Sequence, residues 1–137
     1  MTTGTAIGAS LSVPGRPDQV HAARVFTSEA LGGGHPCEPV AVLLVSELVT
    51  NSVVHSDSRL PGGMITVTVT SAGPDAIRVE IRDAGGPTLP FLKEAGDVAA
   101  EGGHGLQLVD RLAARWDYCR DTAGLTTWFV VCAEPPS

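Results

Sequence analysis

The stretch that decides the fold is Val40-Ala41-Val42-Leu43-Leu44-Val45-Ser46-Glu47-Leu48-Val49-Thr50-Asn51-Ser52-Val53-Val54-His55. Most of these residues suit a buried helix, yet Glu47, Asn51 and His55 recur at i, i+4 and i+8 and form one polar stripe on it. An acid and an amide one turn apart, with no Lys or Arg beside them, suit a Mg2+-bound phosphate and a hydroxyl or water to be deprotonated. The alternative is a solvated helix face with His55 near the C-terminal end for its favourable dipole. This helix alone favours neither interpretation.

Length and composition predict one domain covering residues 1–137. The chain is 43% hydrophobic and only 4% aromatic, so its core is expected to consist of Val, Leu, Ile and Ala. The formal net charge of -6 argues against nucleic-acid binding and against a membrane-surface protein, so an anionic ligand would be held by backbone amides or a metal. No signal peptide or membrane-length apolar run is found, which predicts a cytoplasmic protein.

The three cysteines have no CxxC spacing, which argues against a zinc site or a disulfide framework. We expect them to be reduced and mostly structural.

Hydrophobic periodicity predicts an alternation of strands and helices around the central helix. Residues 1–9 are expected to be a disordered leader. The predicted elements are a strand at 10–13, a helix at 19–31 with Val25 near its apolar stripe, the central helix, a β-hairpin at 64–70 and 76–82, a helix from Leu106 whose period continues to Trp116, and strands at 117–120 and 125–133.

This order predicts an α+β fold, a two-layer sandwich with a mixed, mostly antiparallel sheet. Strands follow one another directly along the chain, so helices on one face of the sheet are favoured over a doubly wound parallel layout. Residues 88–101 have no firm period and are flanked by glycine, which predicts a mobile loop or lid of about fourteen residues.

Gly103-His104-Gly105 precedes the Leu106 helix and suits a phosphate cradle, since backbone N–H groups at a helix N-terminus point toward an anion. A glycine-rich helix entry is more often a simple turn. It is not a Walker loop, because no Gly-Lys-Ser/Thr follows, and Leu108 stands where a dinucleotide motif would have its third glycine.

Asp83 lies at a predicted strand end, before Gly85 and Gly86. Its carboxylate can accept from an exocyclic amine such as that of adenine, and the glycines leave room for a flat ring. A plain Asp-Gly turn is the alternative. Thr126, at the start of the last strand, can donate to the same ligand, although taken alone it is only a strand threonine.

These signals gain force from their order. An acidic and amide-bearing helix, Asp-x-Gly after a strand, a glycine-flanked lid, Gly-x-Gly-Leu into a helix and a final Gly-x-Thr strand together resemble the nucleotide-binding domain shared by gyrase, Hsp90, histidine kinases and MutL, the GHKL superfamily. The resemblance runs from Val13 to Val131. Residues 46–56 (SELVTNSVVHS) and 103–110 (GHGLQLVD) look most like the single-domain anti-sigma-factor serine/threonine kinases and their actinobacterial relatives.

The resemblance implies a Bergerat-type sandwich with ATP between the central helix and the lid. It implies that Asn51 coordinates Mg2+ through its amide oxygen and that Glu47 is the general base or positions the attacking group. It also implies that Asp83 binds the adenine amino group, that Thr126 assists through water, and that Gly85 packs under the base. Backbone contacts to phosphates are implied for Gly103, Gly105 and Leu106.

Two positions depart from these roles or lie beside them. His55 is typical of the subfamily motif, and we expect a structural or supporting role for it. The superfamily commonly has Asp-x-Gly-x-Gly, whereas here Gly85 and Gly86 are adjacent and Pro87 follows. The adenine contact is expected to survive this change, while hinge geometry and turnover are expected to depend on it.

The function that the resemblance implies is an ATP-dependent protein serine/threonine kinase of the anti-sigma type. Its partners would be an anti-anti-sigma protein of the STAS type, which it phosphorylates, and a sigma factor, which it sequesters. A second copy of the chain is another candidate partner, because relatives tend to dimerise. The alternative is a nucleotide-responsive binding module without phosphotransfer, and a histidine-kinase catalytic fragment is a third, less favoured interpretation.

Overall fold

The computed structural model describes residues 8–86 and 105–133. Its helices are α1 (Val20–Ala30), α2 (Glu38–His55) and α3 (Gly105–Leu112). Its strands are β1 (Gly8–Pro14), β2 (Met64–Gly73), β3 (Ala76–Asp83), β4 (Arg115–Asp121) and β5 (Gly124–Cys132). Short 3-10 helices occupy Pro17–Gln19 and Asp57–Arg59.

The five strands form one sheet in the order β1-β2-β3-β5-β4, and every neighbouring pair is antiparallel. The predicted α+β class is confirmed, although the described part of the sheet is entirely antiparallel and not mixed. The predicted hairpin is β2 and β3, and its strictly alternating Val and Ile residues lie on the buried face. This alternation places polar side chains on the other face, where Arg78 lies 4.3 Å from the ring centroid of Trp128.

The core lies between the sheet and the helices. It is built almost entirely from aliphatic residues, as the composition predicted, with Phe129 the large aromatic among the fully buried side chains. Helix α2 supplies Ala41, Leu44, Val45 and Val49, all with no exposed surface. Because α2 is apolar around most of its circumference, it is the central helix of the layer that covers the sheet.

The start of α2 is fixed by its first turn. Pro39 occupies the first turn as predicted, where a missing backbone N–H costs nothing. The Glu38 carboxylate accepts hydrogen bonds from the Ser28 hydroxyl at 2.7 Å and from the Gly34 N–H at 3.0 Å. These bonds, with the Ser28 hydroxyl first, hold the pKa of Glu38 below its ordinary value of 4.5. Glu38 therefore joins α1, the glycine turn and α2.

Two expectations from periodicity and one from composition were wrong. Helix α3 ends at Leu112, and Trp116 lies in β4, opposite Phe129, with its indole N–H donating to Asp110 at 3.0 Å. Pairing with β5 outweighs the helical spacing that Trp116 happens to share. Val25 is 41% exposed, because the fully buried positions of α1 are Ala23 and Thr27. Residues 8 and 9 belong to β1, so the expected leader does not extend to residue 9; residues 1–7 lie outside the described part.

The cysteines are all free. Cys37 is buried where β3 begins and β5 ends, and its thiol donates to the carbonyls of Asp75 and Val131 at 3.4 and 3.5 Å. Burial, ahead of the neighbouring Cys132 and Asp75, raises the pKa of this thiol. Cys37 is structural as predicted, whereas Cys119 and Cys132 are exposed.

None of the helices in the described ranges is long and apolar enough to cross a membrane.

Candidate functional site

The polar stripe of α2 lies at the edge of the buried surface. Glu47 and Asn51 are half-buried, and His55 is exposed at the last position of the helix. Within the described residues no group of three or more His, Cys, Asp or Glu side chains is placed to hold a metal ion. An oxygen donor set of one amide and one carboxylate fits Mg2+ only when the ligand supplies further oxygens, as phosphates do.

Asp83, the last residue of β3, is the buried acid of the site, with 8% of its surface exposed. The Ser52 hydroxyl donates to its Oδ2 at 2.6 Å, and the Gly85 N–H donates to its Oδ1 at 2.7 Å. Both oxygens are therefore held, and the plane of the carboxylate is fixed. Because Ser52 follows Asn51 directly, its hydrogen bond brings the polar stripe of α2 next to the end of β3.

The fixed carboxylate still has acceptor capacity. Two carboxylate oxygens offer about four lone-pair sites, and the two hydrogen bonds described above use two of them. An ionised carboxylate only accepts, so a ligand amine is a suitable donor for a remaining site. These remaining acceptor sites fit the exocyclic amine of adenine that the sequence predicted as the partner of Asp83.

Ser52 was missed by the sequence reasoning. A signal was present, since a serine on the apolar side of a buried helix requires a hydrogen-bond partner. The identity of that partner depends on where β3 ends relative to α2, which the sequence does not specify.

The turn that follows Asp83 is held against the loop after α2. The Ala84 N–H donates to the Ser58 hydroxyl at 2.8 Å, and the Asp57 N–H donates to the Gly85 carbonyl at 2.6 Å. Ser58 is 1% exposed and also donates to the Met64 carbonyl at 2.8 Å. Gly85 has a φ of 76°, a left-handed conformation that favours glycine. The Asp83 turn is therefore part of the rigid framework.

The structure does not bring Thr126 to Asp83. Thr126 is paired with Arg82 in the β3–β5 register, and its hydroxyl accepts from the Arg82 guanidinium at 2.9 Å on the face of the sheet opposite the described helices. Asp83 lies on the opposite face. The neighbouring Thr127 is 7% exposed, is paired with Ile81 and shares the face of Asp83. The ligand contact of Thr126 therefore stays a prediction that its position does not favour, and Thr127 is the threonine on the face of Asp83.

The remaining predicted residues lie on or before α3. Gly105 is the first residue of the helix, and Leu106, 7% exposed, belongs to the hydrophobic core. Helix α3 packs against α2, so its N-terminal residues share a layer with the polar stripe. The phosphate contacts of Gly105 and Leu106 stay predictions. Gly103 and the predicted lid at 88–101 lie outside the described residues.

Residues 13–131 match the family model of the histidine kinase-like ATPase domain. No curated protein matches the sequence. Among solved structures, the RsbU and RsbW domains of Rv1364c from Mycobacterium tuberculosis are similar to 94% of this chain, with a TM-score of 0.63 and 20% identity. The histidine kinase domain of the blue-light activated kinase EL346 from Erythrobacter litoralis is similar to 85% of it, with a TM-score of 0.53 and 19% identity.

These likenesses cover only part of each solved chain, 34% of the first and 60% of the second. At such identities they show a shared fold.

Proposed function

The chain belongs to the histidine kinase-like ATPase domain family, and from this premise we propose that it binds Mg-ATP and transfers the γ-phosphate to a serine or threonine hydroxyl of a partner protein. The observation that carries the proposal is the 2.6 Å hydrogen bond between Ser52 and Asp83. It joins a helix that bears an acid and an amide to a buried carboxylate with free acceptor capacity. One surface thus offers groups that suit the adenine ring, the phosphates and a hydroxyl nucleophile.

We assign each residue of the site to one part of Mg-ATP. Asp83 accepts from the adenine amine, and Thr127 lies on the same face for a water-mediated contact to the base. Asn51 supplies an amide oxygen toward the metal, and the N-terminus of α3 supplies backbone N–H groups toward the phosphates. Bound Mg2+ neutralises charge on the phosphate oxygens. Glu47 lies one turn before Asn51 on the same stripe of α2, so we assign its carboxylate to the reacting end of the ligand.

Transfer is a displacement at phosphorus. A lone pair of the substrate hydroxyl oxygen forms the new bond to the γ-phosphorus, the bond from this phosphorus to the β–γ bridging oxygen breaks, and ADP leaves with that electron pair. Glu47 accepts the hydroxyl proton. The chain's own contribution is orientation and charge stabilisation, which dominate catalysis of phosphoryl transfer.

The family resemblance, and the RsbW domain among the similar structures, support the choice of partner. We propose an anti-anti-sigma protein of the STAS type as phosphoacceptor and a sigma factor as the protein that the kinase sequesters. A second copy of the chain is a further candidate partner.

The test is phosphotransfer from γ-labelled ATP to purified STAS-type proteins of the source organism. We expect Glu47→Ala to abolish transfer while the Kd for Mg-ATP changes by less than about threefold, since the carboxylate acts on the substrate hydroxyl and not on the nucleotide. Glu29→Ala on the exposed side of α1 is the matched control and should transfer like the wild type. Retained transfer in Glu47→Ala would remove Glu47 from the role of base.

A second candidate function is a nucleotide-responsive binding module without transfer. The adjacent Gly85 and Gly86 favour it, because this spacing departs from that of the superfamily in the segment before the predicted lid. Mg-ATP binding by the wild type, with no transfer to any STAS-type protein tested, would support this candidate over the kinase.

A further inference from the structure

The adjacent glycines that depart from the family spacing have a structural cause at Gly86. A Cβ at this position would lie 2.9 Å from the His55 carbonyl oxygen and 3.5 Å from the Ser56 Cα. Contacts below 3.0 Å require the neighbours to move, and the nearest neighbour here is backbone at the end of α2. Gly86 is therefore a site of close backbone approach, and only glycine fits there without displacing the helix end.

The other side of Gly86 is occupied by a cation from the far edge of the sheet. The Arg120 guanidinium donates to the Gly86 carbonyl. Arg120 lies in β4, where it is paired with Leu125, and Leu125 is paired in turn with Asp83. Directly paired residues present their side chains on the same face, so these three residues form a row across β4, β5 and β3. Arg120 therefore reaches over β5 on the face that carries Asp83.

We propose that Arg120 is a positioning residue for base recognition and acts through Gly86 on Asp83; this inference rests on the proposed function. Each backbone step from Asp83 to Gly86 has its own contact. Ser58 holds the Ala84 N–H, Asp57 holds the Gly85 carbonyl, and Arg120 holds the Gly86 carbonyl. The first two contacts come from the loop after α2, and among the described residues only Arg120 contacts the turn from the side of β4.

One peptide unit, that between Gly85 and Gly86, separates the Gly86 carbonyl from the N–H group that contacts Asp83. The Gly85 N–H donates to Asp83 Oδ1, so the orientation of the carboxylate depends on where the turn at 84–86 lies. Without the guanidinium, the Gly86 carbonyl loses its donor and the end of the turn loses its contact with β4, while Asp57 still holds the Gly85 carbonyl. The turn is then free to shift at its Gly86 end, and the Gly85 N–H holds the carboxylate of Asp83 less firmly in the plane in which it accepts from the adenine amine.

The experiment measures how strongly the protein recognises the 6-amino group of adenine. We would titrate Mg-ATP and Mg-purine riboside triphosphate, which lacks the 6-amino group, into wild type, Arg120→Met, Arg120→Lys and Arg115→Met. Arg115 lies in the same strand, is exposed and is paired with Val130 on the opposite face, so its substitution is the matched control. The readout is the ratio of the two Kd values, which reports the contact between the amine and Asp83.

In the wild type and in Arg115→Met, ATP should bind roughly tenfold or more tightly than the analogue, the usual effect of a hydrogen bond to a charged group. In Arg120→Met the ratio of the two Kd values should fall to about threefold or less. Arg120→Lys keeps a cationic donor but loses the planar fork, so its ratio should be intermediate between those of the wild type and Arg120→Met. A loss of general stability, or a direct contact of Arg120 with phosphate, would weaken both ligands equally. An unchanged ratio in Arg120→Met would therefore overturn the inference.

Hydrogen exchange on the nucleotide-free proteins separates this inference from the proposed function. The Ala84 and Gly85 amides both donate hydrogen bonds in the turn and should exchange about tenfold faster in Arg120→Met than in Arg115→Met. Equal exchange would overturn the positioning role. Faster exchange in a chain that binds neither nucleotide would overturn the proposed function and the role in base recognition, and would leave Arg120 as a clamp of the turn alone.

Discussion

Replacing Gly124 by alanine tests the packing of the Asp83 turn most directly. Gly124 begins β5 with a φ of 149°, and a Cβ there would lie 2.0 Å from the Asp83 carbonyl oxygen. The chain offers a close control at Gly73, where φ is 147° and the nearest atom to the added Cβ is the Ala76 Cβ at 3.7 Å. The two substitutions thus impose nearly the same backbone strain, and only one of them collides with a neighbouring strand.

The expected magnitudes follow from this difference. A non-glycine residue in a left-handed conformation costs about 1–3 kcal/mol, offset by about 0.4–1 kcal/mol from the reduced entropy of the unfolded chain. This net cost of the left-handed conformation applies to both variants. Gly124→Ala also has to move β5 away from β3 at the pair formed by Asp83 and Leu125, and overpacking of this kind adds about 1–3 kcal/mol. We expect Gly124→Ala to lose about 2 kcal/mol more unfolding free energy than Gly73→Ala.

The assay is equilibrium urea unfolding of both variants and the wild type, followed by far-UV circular dichroism. The midpoints should differ while the m-values agree, because a change in stability alone leaves the exposed surface unchanged. The displaced carbonyl belongs to Asp83, so Gly124→Ala should also weaken ATP binding under conditions where it is fully folded, and Gly73→Ala should not. Equal losses of unfolding free energy in the two variants would refute the reasoning.

Three further predictions concern single side chains. Ser52→Ala removes the hydroxyl that donates to Asp83 and should lower the unfolding free energy by about 1–3 kcal/mol, measured by urea unfolding; an unchanged value would mean that this bond is not formed in solution. Thr127→Val should weaken ATP binding in calorimetry while Thr126→Val should not, and the reverse result would place Thr126 on the ligand. Because hydrogen bonds lower the pKa of Glu38 in the folded state, the stability that this carboxylate contributes is present above pH 4.5 and is lost as the pH falls through the folded-state pKa. The thermal midpoint should therefore fall more steeply below pH 4.5 in the wild type than in Glu38→Gln, and parallel curves would contradict this.

The order of elements and the fold class were predictable, since they depend on local periodicity. The central helix, its first-turn proline and the β2–β3 hairpin all have strong sequence patterns and were predicted correctly. The boundary between α3 and β4 was not, because Trp116 is compatible with either period and only its pairing with Phe129 decides.

The choice between Thr126 and Thr127 shows a second limit. A strand places alternate residues on opposite faces, so an error of one position reverses which face is assigned. In β5 the apolar residues Phe129, Val130 and Val131 are consecutive and all buried, and alternation is therefore not readable from the sequence. Only the register with β3 identifies the face of each threonine.

Contacts between distant parts of the chain were the least predictable. Ser52 and Asp83 are 31 positions apart, and Arg120 and Gly86 are 34 apart. Neither pair has a local pattern, because each depends on where two elements end relative to one another. The departure in glycine spacing was visible in the sequence, whereas its cause, the close approach of Gly86 to the His55 carbonyl, was not.

The most direct test of the account is isothermal titration of Mg-ATP into the wild type and Asn51→Ala, with and without Mg2+. Thr50→Ala, an exposed substitution on the same helix, is the control. The account predicts magnesium-dependent binding in the wild type and in Thr50→Ala, and a loss of about tenfold or more in Asn51→Ala. Absence of binding to the wild type, or unchanged magnesium-dependent binding in Asn51→Ala, would contradict it.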